Sequence, residues 1–159
     1  MMPAHKFSKK AEVLVHEIQK PGPYNQDADA ILGQKEFYSP LKEISKYHSN
    51  KYTRACTIRA IGLTPFYPGE ISFGKSRLNF LIKLKKTEKE KTMKLDIFWS
   101  ILKIFTQFVN ESHTNEIFEY QPKKIYEEAL KLGKELSYSN CIEIFRDKLY
   151  PIIYTGAKN

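Results

Sequence analysis

Glycine is scarce in this chain, with seven in 159 residues, and cysteine is scarcer, with two. No G-x-G-x-x-G or G-x-x-x-x-G-K occurs anywhere. The backbone loops that cradle phosphates in nucleotide-dependent enzymes are therefore missing. Few glycines also argue against a turn-rich all-β fold. Cys56 and Cys141 lie far apart, and neither belongs to a C-x-x-C, so no zinc site or disulfide framework is signalled. The plain reading is two buried free thiols in a reducing compartment. His5, His16, His48 and His113 are equally solitary, with no H-x-E and no H-E-x-x-H.

Catalysis needs a constellation, and these absences leave little to build one from. Cys56 and His113 could meet in space as thiol nucleophile and base. Neither is flanked by the glycine-rich backbone that shapes an oxyanion hole. The D-x-D at Asp27 and Asp29 has no third ligand in sight and reads as a solvated turn. The expectation is a non-enzymatic protein with no metal and no cofactor. Near the start, Lys6, Lys9 and Lys10 are followed by Glu12, His16 and Glu17 in place of an uncharged apolar run. No secretory signal is expected, and the location implied is intracellular, cytoplasmic or nuclear.

Long apolar runs are missing too, with one exception: residues 95–109, LDIFWSILKIFTQFV. At helical spacing Leu95, Phe98, Trp99, Leu102, Phe105 and Val109 share one face, and Ile97, Ile101, Ile104 and Phe108 share the next. Only Asp96, Ser100, Lys103, Gln107 and Asn110 make a polar stripe. A helix apolar over most of its circumference must be covered on several sides. The stretch is too short and too charged for a membrane span, which needs about 20 apolar residues. It predicts a central core helix with Trp99 buried.

The rest of the chain reads as helices around that one. Residues 8–20 form an amphipathic helix capped by Ser8 and stopped by Pro21-Gly22-Pro23. Ser39 and Pro40 open a second helix that runs to Gly62 with Pro65 beyond, carrying His48 as a core or rim histidine. Residues 63–74, with Phe66, Tyr67 and Phe73, read as an aromatic loop. Residues 75–94 read as a basic helix capped by Ser76, continuing into the central helix or kinking near Thr92. A short β-hairpin within 78–98 is the alternative, since Phe80, Ile82 and Leu84 also alternate. Pro122 opens a helix striped by Ile125, Ala129, Leu132 and Leu136, and Ser139 caps a last one ending at Pro151. Together these two make a C-terminal helical hairpin. The fold class expected is mainly α: one domain over 1–159, about six helices around 95–109, with frayed ends at 1–6 and 155–159.

Charge is the one feature that points outward. The formal net charge is +8, and residues 75–94 alone carry Lys75, Arg77, Lys83, Lys85, Lys86, Lys89, Lys91 and Lys94 against Glu88 and Glu90. A cationic stripe of this kind can follow phosphates. Lysine suits backbone contact, whereas base reading favours arginine. The expected partner is a nucleic acid, DNA or RNA, held without strong sequence specificity by those eight residues. The alternative is a helical protein–protein interaction module, acting as adaptor, subunit or inhibitor through the 63–74 loop and the C-terminal hairpin.

Overall fold

The computed structural model describes residues 5–18, 35–64 and 70–154. Among them are nine α-helices, two 3-10 segments and no strand. They fall into two compact units, Met1–Pro65 and Phe66–Asn159. The β-hairpin alternative for 78–98 does not form, because those residues are helical on both sides of one short break.

In the first unit α1 is Lys9–Ile18, which buries Ala11 and Leu14. Ser8 starts it as expected: its Oγ accepts the Ala11 N–H at 3.2 Å and donates to Glu43 at 2.8 Å. The stop at Pro21–Pro23 and the Asp27–Asp29 turn lie outside the described residues. The expected helix from 40 to 62 is two helices, α2 at Tyr38–Tyr47 and α3 at Lys51–Leu63. The break has a plain cause that the pattern of apolar positions hides. Asn50 caps α3 by accepting the Thr53 N–H at 2.9 Å, while Arg54 Nε–H covers the Ser45 carbonyl in the last turn of α2 at 2.9 Å. His48 sits at this corner, half-buried, its Nδ1 accepting the Asn50 N–H at 3.0 Å. α2 and α3 pack on each other and on α1. Ser45 and Thr57 hydroxyls hydrogen-bond across the α2–α3 contact at 3.1 Å.

The second unit is organised on α5, Lys91–Asn110, which packs against α4 (Ile71–Thr87), a 3-10 segment (Thr114–Tyr120), α6 (Pro122–Glu135) and α8 (Phe145–Lys148). Ile97, Ile101, Leu102, Ile104, Phe105 and Phe108 are wholly buried, and Ser100 of the polar stripe is buried with them. Trp99 is the correction: it is half-buried, edge-on to Phe145 with centroids 6.3 Å apart and carrying Lys103 Nζ 5.8 Å from its ring centre. The two cysteines are corrected likewise. Neither is in a disulfide, and both are half-buried.

Helix α4 starts earlier than Ser76, absorbing Phe73 and a buried Gly74 from what the sequence presents as loop; Phe66 and Tyr67 lie outside the described residues. It stops at Thr87, and the chain turns through Glu88, Lys89 and Glu90 before α5. No glycine or proline makes this break. Lysines 85 and 86 sit at the negative end of α4, where Glu88 is the C-cap residue, and Glu90 is the N-cap residue at the positive end of α5. The Glu88 carboxylate also accepts the Glu90 N–H at 3.2 Å. The last expected helix is split into α7 (Asn140–Glu143), α8 and α9 (Tyr150–Ile153); Pro151, expected to end it, lies instead in the first turn of α9, where its missing N–H withholds one bond from the α8 ladder.

Two serines end the long helices in the left-handed conformation, Ser112 at φ 61° and Ser137 at φ 63°. Each sits in a Schellman closure: His113 N–H to Phe108 O at 2.8 Å, and Tyr138 N–H to Gly133 O at 2.7 Å. A Cβ on Gly133 would stand 3.0 Å from the Ser139 backbone. Gly133→Ala should therefore destabilise the second unit by about 1–3 kcal/mol through overpacking, despite alanine's better helix propensity. Ser137→Gly should stabilise it by up to about 1 kcal/mol by removing left-handed strain. Thermal melts followed by Trp99 emission check both signs.

Candidate nucleic-acid interface

The eight basic residues of 75–94 are dispersed by the helices that carry them. Arg77 is wholly buried, donating from Nη2 to Gln107 Oε1 at 3.1 Å with its guanidinium 4.8 Å from the Phe73 ring centre. A side chain in that position is part of the core and cannot meet a phosphate. Lys75 bridges Glu116 at 2.9 Å and Glu119 at 3.1 Å. These two hydrogen bonds raise the Lys75 pKa, and Lys75 in turn lowers that of Glu116. Lys85 reaches Glu128 at 3.5 Å and lies 5.1 Å from the Phe98 ring centre. Lys91 pairs with Glu135, whose pKa it lowers.

What remains is a tighter set. Lys83, Lys86 and Lys89 are exposed and Lys94 is half-buried; among the described residues none of the four forms an ion pair. They gather at the α4–α5 corner, Lys83 and Lys86 on the solvent face of α4 that also shows Ser72, Ser76 and Asn79. Lys91 borders them. The basic excess seen in 75–94 is thus partly neutralised by acids of 116–135, which the composition of the segment alone cannot reveal.

Elsewhere the chemistry is sparse. Lys103 has its pKa lowered by burial and then by the neighbouring Lys148 charge. Cys141 Sγ–H donates to the Tyr138 carbonyl at 3.0 Å. Among the described residues no group of three or more His, Cys, Asp or Glu is placed to hold a metal ion, and no helix is long and apolar enough to cross a membrane.

Three exposed features were missed by reading for periodicity. Tyr47 and Tyr52 are 46% and 67% exposed beside Lys46 and Lys51; the signal was present as a repeated Lys-Tyr dipeptide. The third is a group of exposed apolar residues after α6: Tyr138, Ile144, Tyr150 and Tyr154. Comparison of the chain with protein-family models, curated proteins and solved structures gives no match.

Proposed function

We propose that this chain is a non-catalytic protein that holds the backbone of a nucleic acid, without strong sequence specificity, on Lys83, Lys86, Lys89 and Lys94. The observation that carries the reading is their gathering at one corner while Lys75, Lys85 and Lys91 are matched to glutamates. Four like charges at one corner raise local self-repulsion, which a polyanion relieves. Lysine ammonium groups recognise charge and leave base edges unread.

Four phosphate contacts give an expected slope of log K against log salt of about −3.6 on duplex DNA. Changing all four lysines to glutamine should abolish most binding and flatten the slope towards zero, with the melting temperature unchanged. Fluorescence anisotropy with a labelled duplex at rising salt measures this. Wild type and variant binding alike, or neither binding at low salt, would remove the reading.

A second reading, a protein–protein interaction module, is favoured by the C-terminal group. Tyr138, Ile144, Tyr150 and Tyr154 are each more than half exposed, and the Tyr150 and Tyr154 rings lie 5.2 Å apart. Exposed aromatics of this density suit a partner surface. Retention on heparin with salt elution separates the two, since an apolar contact is not weakened by salt.

A further inference from the structure

Between Glu70 and Glu88 the chain has no acidic residue, and that span is helix α4, Ile71–Thr87. Along one exposed side it carries Ser72, Ser76, Asn79, Lys83 and Lys86. At about 100° per residue these five fall within an arc of roughly 80°. They are also ordered along the axis. Ser72 to Asn79 covers about 10 Å, and Lys83 and Lys86 follow about 6 and 10 Å further on. Neutral polar side chains come first and cations second, and the cations belong to the corner proposed above to hold a nucleic-acid backbone.

Folding does not account for the neutral part. Serine and asparagine compete with the helix backbone for hydrogen bonds and suit caps and turns better than helix interiors. Yet Ser76 and Asn79 stand inside α4, and among the described residues the side chains of Ser72, Ser76 and Asn79 make no hydrogen bond. Helix α6 shows the ordinary alternative, since its exposed positions are all Lys or Glu. The acids that reach α4 are engaged by other lysines: Lys75 holds Glu116 and Glu119, and Lys85 holds Glu128.

We propose that this face of α4 binds duplex RNA in preference to duplex DNA. Ser72, Ser76 and Asn79 meet 2′-hydroxyls in the minor groove, and Lys83 and Lys86 take phosphates at its edge. The inference rests on the backbone reading and adds the kind of duplex. A 2′-hydroxyl both donates and accepts, as a serine hydroxyl and an asparagine amide do. Short side chains let the helix backbone lie close to the wide, shallow minor groove of A-form RNA. The minor groove of B-DNA is about 6 Å wide, too narrow for a helix about 10 Å across, and it offers no hydroxyl. DNA therefore meets the lysines alone. Its major groove admits a helix, but of this face only Asn79 can pair bidentately with a base edge there.

The test is anisotropy of the full chain with three labelled duplexes of one sequence: RNA, DNA and 2′-O-methyl RNA, which lacks the hydroxyl proton. Wild type should bind the RNA duplex more tightly than either of the others. Ser76→Ala with Asn79→Ala should weaken RNA binding roughly 5- to 100-fold, the loss of two hydrogen bonds, and leave DNA binding as it was. Alanine is the better helix former, so the melting temperature of this variant should not fall. Lys83→Gln with Lys86→Gln should weaken RNA and DNA binding alike and reduce the salt slope on DNA by about 1.8. Equal wild-type affinity for RNA and DNA overturns the proposal and leaves the backbone reading standing. An unchanged Ser76→Ala, Asn79→Ala variant, or a 2′-O-methyl duplex bound as tightly as RNA, overturns it too. DNA bound more tightly than RNA, and lost in that variant, overturns it in favour of the major groove. No binding to any duplex at low salt removes both readings.

Discussion

Phe105→Ala should cost the second unit about 3–5 kcal/mol, the range for truncating a buried aromatic. Phe105 has no exposed surface and lies in the C-terminal half of α5, with the Tyr120 ring 6.5 Å away at a tilt of 47°. Helices α4, α6 and α8 and the 3-10 segment all pack on α5. A cavity there loses contacts to several elements at once, and those elements cannot all close on it. Domains are stable by only about 5–15 kcal/mol, so the loss is a large share of the whole. With a urea m-value of about 2 kcal/mol/M the midpoint should fall by roughly 2 M. Trp99 is the chain's one tryptophan and belongs to this unit, so its emission reports the transition selectively. Phe105→Leu, which keeps most of the volume, should cost under about 1.5 kcal/mol. If Phe105→Ala shifted the midpoint no further than Val109→Ala, at a half-buried position one turn on, α5 would not be the centre of the unit.

The helical class and the identity of α5 were legible because hydrophobic periodicity over 95–109 is long and nearly uninterrupted. Caps were legible where a side chain does the capping, as at Ser8. Breaks were not. The turn at His48–Asn50 lies inside an unbroken apolar stripe, and Asn50 would have had to be weighed above that stripe. The turn at Glu88–Glu90 uses charge at helix ends where a sequence reader looks for glycine. Trp99 shows a different limit. Periodicity puts it on the apolar face, but whether a face is fully covered depends on how far the neighbouring short helices reach, and α8 covers only part of it.

The cationic segment shows the same limit more sharply, because counting Lys and Arg along 75–94 treats every side chain as facing water. Lys75, Lys85 and Lys91 meet glutamates that are some forty residues further along the chain. No local window contains that information. Part of it was available in the slight acid excess of residues 111–159, which hinted that the basic and acidic segments complement one another. The repeated Lys-Tyr dipeptide at 46–47 and 51–52 is equally local, but it does not repeat at the period of a helix.

Arg77 gives the second large effect, and it separates core from surface. Among the described residues it is one of the largest fully buried side chains, and it sits with its guanidinium against Phe73 and Gln107. Arg77→Ala should destabilise the second unit by about 3–5 kcal/mol, since it opens a cavity and removes a charged donor from a packed site. Arg77→Met should be far milder, within about 1.5 kcal/mol of wild type. Methionine refills most of the volume, and hydrophobic replacement of a buried charge is often neutral or better. The Gln107 side chain that loses a donor is half-exposed, so water can take the vacated place. The two substitutions remove the same positive charge, which makes the comparison informative for binding as well as for stability. Arg77→Met should leave duplex affinity and its salt slope as in wild type, whereas Lys83→Gln should lower both. A folded Arg77→Met protein that bound DNA as weakly as Lys83→Gln would mean that Arg77 reaches the surface when the protein works.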